Sequence, residues 1–141
     1  MEYKHTRAYI PIIMKRIDES IFISNNNRYE RIDKIDILFI EAQGSYVDIY
    51  AHDRKISFST HLKSILDQMK DENFVQVSRK HIVNINHIQE IHNDYLTISN
   101  FNIPTSKMYK SDLLEKIPII KTKQKVLIEK STVLSEHLVV L

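Results

Sequence analysis

The sequence predicts a mainly β domain carrying one clear amphipathic helix and a second, short helix towards its C-terminal end. Three observations lead there. Short runs rich in Ile, Val, Tyr and Phe recur along the chain, often alternating with polar residues as half-buried antiparallel strands do. Clusters of Asn, Asp and Ser separate these runs, in a chain with only one glycine and three prolines to punctuate it. One stretch, THLKSILDQMK at 60–70, breaks the rhythm by placing Leu62, Ile65, Leu66 and Met69 at spacings of three and four.

In chain order, the strand runs are 20–24, 29–32, 37–42, 46–52, 55–59, 75–77, 87–92, 95–99 and 101–104. The clearest turns are SNNNR (24–28), HDRK (52–55), HND (92–94) and SNFN (99–102). Thr60 is suited to cap the helix at 60–70. The segment SRKHIVNINHI at 78–88 sets four polar or cationic residues directly before a buried strand. Its apolar positions, Ile82, Val83, Ile85 and Ile88, would hold it to the core, with Asn84 as an anchor for backbone groups. A weaker helical segment, SKMYKSDLLEKI at 106–117, is closed by Pro118. Beyond it, KTKQK is a cationic link, and VLIEKSTVLSEHLVVL reads equally as helix or strand.

Composition narrows the function classes. The chain of 141 residues is long enough to bury one core, and 43% hydrophobic with 27% charged residues describes a globular protein. Without cysteine there is no disulfide framework, thiolate metal site or cysteine nucleophile. No apolar run reaches the length of a membrane span, and MEYKHTRAYIPIIMKR is too short in apolar residues for a secretory signal, so a cytoplasmic location is expected. A formal charge of +2 permits a polyanionic partner without demanding one.

No constellation suggests catalysis or a cofactor. His81, His87 and His92 lack metal-ligand spacing and read as scattered surface or turn histidines. Phosphate-cradling glycine loops and G-x-S-x-G are absent. Two features stand out instead. QGSYVDIYAH at 43–52 puts the only glycine in a polar loop before a strand, where Gly44 can supply a turn and Gln43, Ser45 and Tyr46 can face a partner. Arg79 and Lys80 sit beside Ser78, and Lys107 and Lys110 beside Ser106 and Tyr109. Arginine offers a planar fork for guanine edges or phosphate, while lysine and serine suit phosphate oxygens.

The order of these features resembles the LytTR domain, the DNA-binding output domain of many bacterial response regulators. The resemblance rests on IDILFIEAQGSYV (35–47), the amphipathic helix, FVQVSRKHIVNINHIQEI (74–91) and IPTSKMY (103–109), in that order. It implies an elongated arrangement of small antiparallel sheets with one or two short helices. It also implies a non-catalytic, sequence-specific regulator of transcription that reads successive major grooves of double-stranded DNA through loops, commonly on paired direct repeats. Three contact clusters are implied: Gly44, Ser45 and Tyr46; Ser78, Arg79 and Lys80; and Ser106 and Lys107 with Tyr109 and Lys110. Arg79 occupies the position from which the family reads a base. Lys107 stands where many members carry arginine, and as a point charge it would add phosphate affinity more than base discrimination. Ser78 replaces a frequent histidine with a shorter reach.

The expected organisation is an N-terminal extension at 1–19, the LytTR-like domain at 20–117 and a C-terminal appendage at 118–141. The appendage is either an assembly surface or an extra element of the same core. With about 34 residues before the match, neither a receiver domain nor a membrane segment is expected, and control is expected through abundance, oligomerisation or a partner. Double-stranded DNA is the expected ligand, with no cofactor; a homodimer and a regulatory protein partner are left open. The alternative reading is a protein-interaction module of the same fold that binds a regulatory partner.

Overall fold

A computed structural model of the protein describes residues 19–123. The expectations for the N-terminal extension, apart from Glu19, and for most of the C-terminal appendage lie outside the described residues. Among the described residues are ten strands, two α-helices and two 3-10 turns, Lys34–Asp36 and Ile85–His87. Strands β1 (Ser20–Asn25) and β2 (Arg28–Asp33) form a hairpin. Strands β3 (Ile37–Gln43), β4 (Tyr46–Ala51), β5 (Lys55–Ser59), β6 (Phe74–Ser78) and β7 (His81–Asn84) form an antiparallel sheet ordered β5-β4-β3-β7-β6. Strands β8 (Ile88–Ile91), β9 (Tyr95–Ile98) and β10 (Phe101–Pro104) form a third sheet. Helix α1 (Leu62–Met69) joins β5 to β6, and α2 (Lys107–Lys116) follows β10.

The mainly β class and its small antiparallel sheets agree with the sequence, and each expected strand run falls on a strand within a few residues. One detail differs. Helix α1 is capped by His61, which makes no side-chain capping bond, and not by Thr60. The first turn is held by backbone alone, with Ile65 N–H donating to the His61 carbonyl at 3.2 Å.

The five-stranded sheet is covered on both faces, which is why ILFI at 37–40 is buried throughout. On one face Ile37, Ile40, Val47, Ile49, Phe74 and Ile82 pack with Ile32 of β2 and with Leu62 and Ile65 of α1. On the other, Phe39, Val75, Val77 and Val83 meet Leu96, Ile98 and Ile103 of the third sheet and Leu113 of α2. Alternation feeds the two faces in turn, except in β3, where a register shift between Ile37 and Phe39 puts Leu38 and Phe39 on one face and Ile37 and Ile40 on the other. Each fully buried Ile, Leu or Val contributes about 1.5 to 3 kcal/mol.

Asn84 closes the centre of this core as the sequence suggested. It is 1% exposed. Its Nδ2 donates to the carbonyls of Ile37 at 2.9 Å and Lys34 at 3.2 Å, while its Oδ1 accepts from the Asn86 N–H at 3.0 Å. One side chain thus satisfies three backbone groups where β7 ends and β3 begins.

Candidate nucleic-acid interface

Pairing register brings the first two clusters to one end of the five-stranded sheet. The β3–β4 hairpin closes at Gln43 opposite Tyr46, the β6–β7 hairpin at Ser78 opposite His81, and Glu41 of β3 lies opposite His81 of β7. Two strand spacings separate the turn centres, about 10 Å. The turns are also bonded together, since the Ala42 N–H donates to the Lys80 carbonyl at 2.8 Å. The third cluster is tied to the second by the Ser106 N–H, which donates to the Val77 carbonyl at 2.9 Å.

In the first turn Gly44 adopts φ +63, and a Cβ there would meet nothing within 4 Å. The backbone angle, not room, calls for glycine. Ser45 is exposed, and its carbonyl accepts a hydrogen bond from the Ser59 hydroxyl at 3.3 Å. Tyr46 is 53% exposed.

The second turn is built differently. Neither Arg79 nor Lys80 has a positive φ, so the tight turn is not of the usual hairpin kind. A register shift between Gln76 and Ser78 absorbs the mismatch, leaving Val77 as the extra residue whose carbonyl takes the Ser106 N–H. Gln76 Nε2 braces the turn by donating to the Ser78 carbonyl at 2.9 Å. Arg79 and Lys80 are exposed. Among the described residues neither side chain has an ion-pair partner, whereas Lys34 meets Asp71 and Arg54 meets Glu30.

In the third cluster Ser106 is the extended N-cap residue of α2, and its hydroxyl, like that of Thr105, is buried without a hydrogen-bond partner among the described residues. Lys107 is exposed, again with no ion pair among the described residues, and Tyr109 is half-buried. Lys110 is placed otherwise. Its ammonium donates to the His92 carbonyl at 2.8 Å and the Asn93 carbonyl at 3.0 Å, clamping the β8–β9 turn to α2.

His81 is not a surface or turn histidine. It is 7% exposed, with Nε2 2.9 Å from Glu41 Oε2 and Nδ1 2.8 Å from the Ser78 hydroxyl. Sequence reasoning passed over Glu41 and misplaced His81. Forty positions separate them, so no local spacing could announce the pair. The other Glu41 oxygen accepts from Gln43 Nε2 at 2.8 Å and from the Tyr50 hydroxyl at 3.4 Å. Desolvation, then the charges of Glu41 and Asp48 and the bond to Glu41, push the Tyr50 phenol above its ordinary 10.0.

Arranged this way, the site presents cations and polar groups on short, mutually bonded turns. His87 donates to the Ile35 carbonyl, bracing the segment before β8 against the one before β3, and His92 lies beside Glu90 as a local brace. Among the described residues no group of His, Asp and Glu could hold a metal ion. No helix there is long and apolar enough to cross a membrane.

Comparison with known proteins agrees with the fold. The family model for the LytTr DNA-binding domain matches residues 27–118, more than half of the chain. Among solved structures, the chain is similar to a LytTr DNA-binding domain from Bacillus cereus assigned to a methyl-accepting/DNA response regulator. That match has a TM-score of 0.59 at 19% identity and covers 69% of this chain and 94% of the other. No curated protein matches the chain. With its family match spanning the sheet, both helices and all three clusters, this chain belongs to the LytTR DNA-binding domain family.

Proposed function

We propose that this protein is a sequence-specific, non-catalytic regulator of transcription that binds double-stranded DNA in the cytoplasm through the turns at one end of its central sheet. The observation that carries the reading is the grouping of Arg79, Lys80 and Lys107. These cations are exposed and unpaired among the described residues, on the β6–β7 turn and at the start of α2, which a backbone hydrogen bond from Ser106 to Val77 fastens together. Cations held at fixed spacing gain phosphate contacts and release counterions without first losing an internal partner.

The roles follow from chemistry. Arg79 would read a base edge in the major groove with its planar fork. Lys80 and Lys107 would neutralise phosphates, and Ser45, Tyr46 and Tyr109 would add polar contacts beside them. Gly44, Ser106 and Lys110 would set the turns in place. A face with turns about 10 Å apart matches a major groove about 12 Å wide. Paired direct repeats would offer successive grooves to two copies, one per half-site.

Enrichment from a pool of random duplexes tests this. Convergence on one motif is the expected result. A pool that stays random after repeated rounds would remove sequence-specific binding. In that case the second reading, a protein-interaction module, takes over. Its support is the exposure of Ile119 at 47% and Ile120 at 93% after α2. Complexes made through such apolar surface survive high salt, where phosphate contacts weaken.

A further inference from the structure

Glu41, His81 and Ser78 form one hydrogen-bonded chain that runs from the half-buried Glu41 carboxylate on β3, through buried His81, to the Arg79–Lys80 turn. We propose that this chain is the positioning device for Arg79, so that His81 and Glu41 set base preference without touching DNA. The inference rests on the DNA-binding reading above and names how its central contact is aimed.

With His81 taken as its neutral Nε2–H tautomer, the donors and acceptors form a consistent set. Glu41 Oε2, a carboxylate oxygen, accepts from His81 Nε2–H at 2.9 Å. His81 Nδ1 then accepts the Ser78 hydroxyl proton at 2.8 Å. With its proton turned inward, Ser78 Oγ accepts from the Lys80 N–H at 3.2 Å. Each group is used once, and the last bond closes the turn around Arg79. Other restraints on the backbone there are the Gln76 amide, which donates to the Ser78 carbonyl at 2.9 Å and the Arg79 carbonyl at 3.5 Å, the Ala42 N–H on the Lys80 carbonyl, and the pairing of Ser78 with His81.

Two features separate this arrangement from an ordinary buried pair. Glu41 also holds Gln43 Nε2 at 2.8 Å, next to Gly44, so one carboxylate fixes both turns relative to each other. The hydroxyl of Ser78 is occupied by this chain, which makes Ser78 a positioning residue acting through Arg79 and Lys80. A fork that must meet a base edge bidentately is sensitive to such aim, whereas a lysine ammonium on a flexible stem is not. The chain should therefore govern discrimination more than overall affinity.

The test uses the full chain and the duplex enriched by the wild-type protein. His81→Phe keeps an aromatic ring in a buried strand and removes both hydrogen bonds; Ser78→Ala removes only the hydroxyl. Each variant should bind the enriched duplex about tenfold more weakly, and bind unrelated duplex unchanged, with the double variant no worse than either alone, as for residues of one network. Ser78→Thr should restore binding. In the free protein, hydrogen exchange of the Lys80 amide should quicken in both deletion variants while cooperative urea unfolding is retained. Equal binding by His81→Phe and wild type, or losses that multiply in the double variant, would overturn the inference. If the wild-type protein enriches no duplex, the DNA-binding reading falls and this inference with it. Unchanged Lys80 exchange in His81→Phe would overturn the positioning chain on its own, whatever the DNA result.

Discussion

The backbone N–H of Ala42 donates to the carbonyl of Lys80 at 2.8 Å, fastening the strand that enters the Gly44–Ser45 turn to the end of the Arg79–Lys80 turn. The Ser106–Val77 bond fastens the third cluster to the same place. Both bonds are made by main chain. Exchanging the exposed side chains therefore leaves the frame standing, and losses of DNA affinity can be read as lost contacts.

Lys107→Gln removes an exposed cation with no ion pair among the described residues. Affinity should fall alike for enriched and unrelated duplexes, and the slope of log affinity against log salt should become shallower by about 0.9. Fluorescence anisotropy across a salt series measures it. An unchanged slope would mean that Lys107 neutralises no phosphate.

Lys110→Met should behave differently, because the Lys110 ammonium is committed to the His92 and Asn93 carbonyls. Hydrogen bonds from a charged donor are worth about 1.5 to 3 kcal/mol, so urea unfolding should reveal a loss of that order. The salt slope of DNA binding should hardly change. A slope shift equal to that of Lys107→Gln, with no loss of stability, would place Lys110 on the phosphates instead.

Asn84→Ala leaves the Ile37 and Lys34 carbonyls and the Asn86 N–H without their partner in the core. Unsatisfied buried groups cost about 1 to 3 kcal/mol, and a loss of at least 2 kcal/mol in urea unfolding is expected. Asn84→Asp should be worse at neutral pH, since it turns a carboxylate towards two carbonyl oxygens. An aspartate variant as stable as wild type would refute this anchor.

Tyr50 supplies a pH dependence of definite sign. Its phenol is raised above the ordinary 10.0, chiefly by desolvation and then by Glu41 and Asp48. Above that pH the unfolded chain releases the proton while the native state keeps it, so the unfolded state binds fewer protons and stability falls as pH rises. The contribution is fully present below pH 10.0 and is lost as pH climbs through the native value. Tyr50→Phe keeps the ring stacked on Phe39 and should flatten the alkaline decline in urea midpoint. A decline as steep as in wild type would assign it to other groups.

Local chemistry was legible in the sequence. The alternating runs became strands, the spacing of Leu62, Ile65, Leu66 and Met69 became α1, and a lone glycine between polar neighbours marked the left-handed turn at Gly44. Asn84 was readable because an amide amid Ile82, Val83 and Ile85 must find partners or be expelled. What escaped depends on distant pairing. His81 looked like a turn residue because Glu41, its partner, lies on another hairpin. Lys110 looked like a free cation because the carbonyls that hold it belong to the β8–β9 turn. Thr60 has the chemistry of a cap, yet the chain enters α1 one residue later, through His61.

The central claim is that Arg79 reads a base from a turn held at the end of the sheet. Parallel selections from random duplex DNA by wild type and Arg79→Ala test it most directly. The account predicts that both converge on one motif, with the variant about 1 to 3 kcal/mol weaker and its preference relaxed at a single base position. Identical preference at every position, with undiminished affinity for the wild-type motif, would contradict it.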